Sequence, residues 1–344
     1  MVAQTFAGPQ RRTAPALCAT VRGMTVPANS PITPSLRTIR EAHALLGSYF
    51  PSSRLLAAPA LSGPGAPPHL KLELELPTGS FKPRGALWAL QTNLRRRAIE
   101  EVTASSTGNH GAAVAYAAEK LGLRATIFLP RNSNPVKFRK IAELGARIVE
   151  AGGVDLADAF LEAQRYSSRP GVYFLNDATD PDLPAGPATI ALEIFEQWPE
   201  TRAIFVPMGD TALIRGVGAA VRQIDSRVRI VGVQADRAPS YFLSWKEGRV
   251  IPTATCDTCA DGLATRTPEA DNVRAIRELV DDVILVSDDE MIAAIGRLHD
   301  HGVIAEPSGA AATAAFLKQP VSDSAVLLVT GGNISDAVRR RAGI

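Results

Sequence analysis

From about residue 100 the chain alternates short β-branched runs with longer stretches of small and apolar residues at helical spacing. Val102-Thr103-Ala104-Ser105 predicts a strand, followed by a small-residue helix from His110 to Leu121. Ala125 to Leu129 predicts the next strand, with a helix near Val136 to Leu144, and Arg147-Ile148-Val149 another, with a helix near Leu156 to Tyr166. Ala203 to Val206 leads into a helix from Thr211, and further strands are expected at Ile230 to Val233, Val283 to Val286 and Ala325 to Val329. Such alternation predicts an α/β fold built on open, mostly parallel sheets with helices on both faces. Upstream, Leu72-Glu73-Leu74-Glu75-Leu76 has period two and predicts one more strand. No repeat of fixed period is present.

Ligands of such sheets gather outside the carboxyl ends of the strands, so the residues after each strand carry the chemical interest. After Leu76 comes Pro77-Thr78-Gly79-Ser80-Phe81-Lys82-Pro83-Arg84. Turn formers and Phe81 place the amine of Lys82 at a strand end, in a semi-apolar setting that suits an imine-forming lysine. After the strand at 102 comes Ser105-Ser106-Thr107-Gly108-Asn109-His110-Gly111. Glycine permits close backbone approach, and the free amides of the helix that begins here favour an anion such as a carboxylate. Gly209-Asp210-Thr211-Ala212-Leu213 also enters a helix, which suits a phosphate, although Asp210 reads equally as a helix cap. Thr330-Gly331-Gly332-Asn333 follows the last strand, and Asp261 to Thr265 and Glu306 to Ala310 are two further loops of interest.

Composition narrows the classes. The 344 residues suffice for two modest domains or one large α/β unit, and 46% hydrophobic with 21% charged residues is ordinary for a soluble globular chain. A net charge of +2 argues for neither nucleic acid nor an acidic partner. No apolar run is long enough to span a bilayer. Three cysteines make no disulfide framework, and Cys256-Asp257-Thr258-Cys259 lacks the second ligand pair a structural zinc needs. The first forty residues hold no Asp or Glu but include Arg11, Arg12, Arg22 and Arg37. They resemble a transit peptide in composition, yet a disordered leader over residues 1–30, with a cytoplasmic protein, is the preferred expectation.

Taken together, six collinear motifs resemble the fold-type II pyridoxal phosphate (PLP) enzymes, and within them the threonine/serine dehydratase and serine racemase family. They are Leu72 to Ala86, Ser106 to His110, Ala185 to Glu193, Asp261 to Ala264, Glu306 to Ala310, and Thr330 to Asn333. The resemblance implies the tryptophan synthase β-like architecture: two lobes, each an open, mostly parallel twisted sheet with helices on both faces. Residues 31–98 and 178–344 would form a large PLP-binding lobe and residues 99–177 a small mobile lobe. It implies that Lys82 carries PLP covalently, that Phe81 packs on the ring, that Asn109 bonds the ring hydroxyl, and that Thr330 faces the ring nitrogen. Gly209, Asp210, Thr211, Ala212 and Leu213 would take the phosphate, and Glu306 would also line the cofactor. Ser106, Thr107, Asn109 and His110 would receive the substrate carboxylate, with Lys82 and Thr107 as catalytic residues. A homodimer acting on a small amino acid is the implied assembly.

The implied activity is a PLP-dependent threonine/serine (β-hydroxy amino acid) ammonia-lyase giving a 2-oxo acid and ammonia. Racemisation or another β-elimination or replacement reaction is the alternative, including hydroxyaspartate or aryl-serine dehydratase and threonine synthase-like chemistry. Thr107 bears on that choice, because racemases of the family have a serine there as a second acid/base, whereas a threonine is stiffer at χ1. Phosphate loops of the dehydratases are glycine runs, so Asp210 is expected to cap the helix and point away from the phosphate. Gln234 and Ser240 stand where the resemblance places the divalent ion of some relatives, and neither is a strong hard-cation ligand, so no tight divalent metal site is expected, with a monovalent cation left open. A non-catalytic binder would have no need of Lys82. A nicotinamide-dependent oxidoreductase is excluded by the lack of a G-x-G-x-x-G after a strand.

Overall fold

A computed structural model of the chain describes residues 33–344 apart from 62, 64, 107, 132–134, 154 and 155, and apart from the side chains of 135–137, 140 and 156. The leader expected at residues 1–30 therefore lies outside the described residues, as do Cys18 and Thr107.

Among the described residues ten strands run in chain order: β1 (Leu55–Ala57), β2 (His69–Leu72), β3 (Glu101–Ser105), β4 (Arg124–Leu129), β5 (Arg147–Glu150), β6 (Val172–Phe174), β7 (Ala203–Pro207), β8 (Arg229–Ala235), β9 (Asp282–Val286) and β10 (Ala325–Val329). They form a six-stranded sheet ordered β1-β2-β10-β7-β8-β9 and a four-stranded sheet ordered β5-β4-β3-β6. Every pairing is parallel except the edge pair β1–β2. The α/β architecture is the expected one, and the seven strands expected from residue 100 onward all form, with β6 an eighth that was not expected.

The period of two explains why both faces of the larger sheet are covered. In β7, Ala203 and Phe205 enter one core with the helix Pro307–Lys318, while Ile204 and Val206 enter another with the helices Ala185–Gln197 and Ala212–Ile224. β10 repeats this, with Ala325, Leu327 and Val329 on the first side and Val326 and Leu328 on the second. A strand buried on both faces reads as a continuous apolar run, as these do. The four-stranded sheet packs Val102, Ala104, Ile127 and Leu129 against the helices Lys82–Leu94 and Asn109–Leu121.

One expected element is different. β2 stops at Leu72, and Glu73–Glu75 forms a turn of 3-10 helix instead of continuing the alternation. The cause is a buried charge. Glu73 turns inward to Arg84, with Oε2 2.7 Å from Nε, and Arg84 also holds Glu193 at 2.6 Å. Lys71 completes the group at 2.7 Å from Glu193. All four side chains are at most 2% exposed. Ser53 donates to Glu73 and Arg84 to Thr189, so little of the polarity is left unsatisfied. Burial opposes the charge on Arg84, but Glu73 and Glu193 outweigh it and raise the guanidinium above its usual range. Burial likewise opposes the Glu193 charge, and Arg84 and Lys71 overcome it. Lys82 therefore does not follow a strand: it opens the helix Lys82–Leu94, two residues before Arg84.

Breaking a buried ion group by removing one member strands the others. Arg84→Met is expected to cost about 3–5 kcal/mol of stability, read as a lowered denaturation midpoint in urea; a loss below about 1 kcal/mol, the range of an exposed pair, would contradict a buried network.

Candidate active site

The segment carrying Lys82 is tied to the end of β10. Ser80 bridges Gly331, the Phe81 amide donates to the Thr330 carbonyl at 3.1 Å, and the Gly332 amide donates to the Gly79 carbonyl at 2.9 Å. Lys82 thus opens into a cavity of about 230 Å³ at the carboxyl ends of both sheets. The Ser105–Ala112 turn, the Gly209–Leu213 turn, the Asp261–Thr265 loop and Thr330 also line it. The cavity brings together Phe81, Lys82, Ser106, Asn109, His110, Gly209, Asp210, Thr211, Ala212, Leu213, Glu306 and Thr330. Of the residues singled out in the sequence, Thr107 lies outside the described residues.

The surroundings of the Lys82 amine differ from the semi-apolar setting expected. The Phe81 ring centre is 5.1 Å from Nζ, but Nζ is ion-paired with Asp177, a residue the motifs did not indicate. Asp177 follows β6 on a segment with no regular period. The Asn176 side chain folds it by accepting from the Ala178 amide at 3.0 Å. Burial works to raise the Asp177 carboxyl, yet Lys82, His110 and Arg215 together hold it below the ordinary range. Its Oδ1 accepts no hydrogen bond and lies 3.6 Å from His110 Nδ1.

Other expected residues stand in the cavity with their polar atoms already engaged. The second ring nitrogen of His110 meets the Leu175 carbonyl at 2.9 Å. What His110 offers a carboxylate is therefore its first-turn amide, not its imidazole. Asn109 donates to Glu306 at 2.6 Å and accepts from Asn333 at 2.6 Å, leaving one amide hydrogen for a ligand. Gly331 makes this approach possible, since a Cβ there would stand 2.0 Å from Glu306. The Ser106 hydroxyl accepts from the Gly108 amide, and the buried Ser105 hydroxyl beside it has no partner. The Thr330 hydroxyl donates to Ser308 at 3.4 Å.

Asp210 does not cap the following helix. Thr211 occupies the cap position, with φ of 70° and no side-chain cap bond. Asp210 is drawn away by the Asp261–Thr265 loop, whose Thr265 hydroxyl donates to it at 3.0 Å. The loop sits so close that a Cβ on Gly209 would stand 2.0 Å from the Gly262 carbonyl. Burial, with Asp177 behind it, raises the Asp210 carboxyl above its usual range against the weaker pull of Lys82 and Thr265.

Gln234 accepts from the Phe242 amide at 2.8 Å and Ser240 donates to the Thr265 carbonyl at 2.6 Å. Among the described residues no three His, Cys, Asp or Glu side chains cluster as a metal site. Burial and Asp288 push the Cys259 thiol up to about 12.

Comparison with known proteins agrees with this geometry. A family model described as pyridoxal-phosphate dependent enzyme matches residues 51–331. The chain is 34% identical to an L-threonine ammonia-lyase of Geobacter sulfurreducens over 78% of this chain and 68% of that one. It is 34% identical to an L-threonine ammonia-lyase of Thermotoga maritima over 87% of this chain and 76% of that one. Among solved structures it superposes on maize serine racemase with a TM-score of 0.84 and 28% identity, over 90% of this chain and 97% of that one. The residues present fit PLP: an amine at the cavity floor, a helix N-terminus behind a glycine, and an unpartnered Ser105 hydroxyl.

A carboxyl whose folded pKa exceeds its unfolded value costs stability as pH climbs from the unfolded value through the folded one. Asp210→Asn should therefore leave the thermal midpoint of the cofactor-free protein unchanged below about pH 4 and raise it by a few degrees at pH 8. Equal midpoints at pH 8 would show that Asp210 carries no buried-charge cost.

Proposed function

The chain belongs to the pyridoxal-phosphate dependent enzymes, and from that premise we propose that it is a threonine/serine ammonia-lyase, converting a β-hydroxy amino acid to a 2-oxo acid and ammonia. The observation that carries the reading is the single cavity into which Lys82, the Ser105–His110 turn and the Gly209–Leu213 turn all open. Relatives named L-threonine ammonia-lyase, aligned over most of this chain, support the substrate class.

PLP, when bound, supplies an electron sink for charge developing at the substrate Cα. Lys82 would hold it through its amine, with Phe81 beside the ring and Asn109, Glu306 and Thr330 around it. Thr330 would offer the ring nitrogen a neutral partner. The Gly209–Leu213 turn would take the phosphate at the start of the helix Ala212–Ile224. Ser106, Asn109 and the first-turn amides of the helix Asn109–Leu121 would bind the substrate carboxylate, and Thr107 is proposed to join them. Lys82 Nζ takes the Cα proton as general base, and the ammonium so formed stays paired with the Asp177 carboxylate. Asp177 thereby keeps the base next to the carbon it deprotonates and offsets the new charge.

Residues 31–98 and 178–344 would act as the large lobe and 99–177 as the small one. Lys82–Asp177 and Asn109–Glu306 are polar contacts made across that boundary. Closure of the small lobe on substrate and a homodimeric assembly are part of the proposal. Among the described residues no helix is long and apolar enough to cross a membrane, and a cytoplasmic location is proposed. Racemisation is the second reading, favoured by the likeness to maize serine racemase.

Ammonia, 2-oxo acid and enantiomer are to be measured with L-Thr, L-Ser, D-Ser, threo-3-hydroxyaspartate and phenylserine. Ammonia release is expected with L-Thr or L-Ser, and its loss, to background, in Lys82→Ala with unfolding behaviour preserved. Turnover surviving in Lys82→Ala would refute the assignment, while a D-enantiomer without ammonia would select the racemase reading.

A further inference from the structure

Thr211 is the one non-glycine residue with positive φ among the described residues. It sits where the chain turns into the helix Ala212–Ile224, at a position glycine occupies without strain. A side chain is held in that conformation only when its surroundings over-determine it, and an outlier of this kind points toward function. The surroundings are identifiable. The Arg215 Nε donates to the Thr211 hydroxyl at 3.2 Å, and the Arg215 amide donates to the Thr211 carbonyl at 2.9 Å. The other end of the guanidinium, Nη2, donates to the Ala178 carbonyl at 3.0 Å. Asn272 reaches the same carbonyl at 3.0 Å and the Asp210 carbonyl at 3.3 Å.

Arg215 is 3% exposed, and its hydrogen bonds go to a hydroxyl and a carbonyl rather than to a carboxylate. Burying a guanidinium this way is unfavourable unless another charge offsets it. Asp177 and Asp210 are near enough to pull on it, but burial prevails and lowers its pKa below the usual range. A dianion at the turn one helical step away would supply the missing charge. The guanidinium also has the right shape for the task, because its rigid fork reaches two acceptors that a lysine could not hold together.

We infer that Arg215 is a positioning residue for the cofactor phosphate: it clamps Thr211 in the left-handed turn that presents the first helix amides, and it ties that turn to the segment bearing Asp177. The inference rests on the reading that Gly209–Leu213 receives the phosphate of PLP. It accounts for a loop that dispenses with a glycine run. Where glycine would adopt the turn unaided, threonine needs a clamp, and Arg215 provides it.

The test is a double-mutant cycle read as the PLP dissociation constant, obtained from the visible absorbance of bound cofactor when the full, cofactor-stripped chain is titrated. Arg215→Gln is expected to weaken PLP at least tenfold, and inorganic phosphate should compete with PLP less well in that variant than in the parent. In a Thr211→Gly background the same substitution should cost threefold or less, since the turn no longer depends on the clamp. Arg215→Lys, which keeps the charge but not the fork, should fall between, and it carries the comparison if thermal unfolding shows Arg215→Gln to be misfolded. Binding within twofold of the parent, or an equal penalty in both backgrounds, overturns the inference. A parent chain that takes up no PLP would instead remove the proposed function, and this inference with it.

Discussion

The buried group of Arg84, Glu73, Glu193 and Lys71 is the constraint on which the site depends. It joins the end of β2, the first turn of the helix Lys82–Leu94 and the helix Ala185–Gln197. Each charge is satisfied only while all three elements hold their places, because a stranded partner would cost several kcal/mol. Arg84 lies two residues beyond Lys82. The position of the amine is therefore set from behind by buried electrostatics, and from the side by the main-chain bonds to Thr330 and Gly331. An apolar replacement of the whole group would lose the directionality that a forked guanidinium imposes.

The cavity inherits a second constraint from topology. Parallel strands end on one edge, and helices begin there with unpaired amides. Two such edges face each other here, so the Asn109–Leu121 and Ala212–Ile224 helices both direct their N-termini to the same space. This suits a ligand with anionic groups at separate points, as a phosphorylated cofactor joined to an amino acid would be. The carboxylates of Asp177 and Asp210 would oppose it if they were free. They are not: Asp177 is neutralised by Lys82, and Asp210 is held by Thr265 and pushed toward its neutral form.

Much of this was legible in the chain because the signals were local. β-branched runs buried on both faces announce parallel strands, and glycine-bounded turns after them announce ligand loops. The reading failed where a distant partner decided the matter. Leu72 to Leu76 alternates like a strand, yet Glu73 is drawn inward by a residue eleven positions on. Asp177 follows a three-residue strand that carries no periodicity, and its partner is 95 positions away. Asp210 has the composition of a helix cap, but Thr265, 55 positions on, claims it. No spacing rule reports a side-chain pairing of that range. The Asn-Asp pair at 176–177 was a usable signal in one respect, since asparagine folding back on its own backbone fixes the residue after it.

The contacts across the cavity also tie its two sides together. Asn109 is shared between Glu306 and Asn333, and Asn333 is in turn bonded to the Thr78 carbonyl at 3.0 Å. These neutral or singly charged bonds contribute about 0.5–3 kcal/mol each. A carboxylate that takes the remaining Asn109 hydrogen and the adjacent helix amides adds to this chain without breaking it. The Lys82–Asp177 pair differs, because a covalent bond at Nζ would change the charge that Asp177 faces. A proton taken up by the free amine would be balanced by the Asp177 carboxylate beside it. One side of the cavity is thus a chain of hydrogen bonds through Asn109, while the other is an ion pair. Asp177 precedes Ala178, whose carbonyl Arg215 and Asn272 hold in place, so the ion pair is anchored to the helices that carry those two residues.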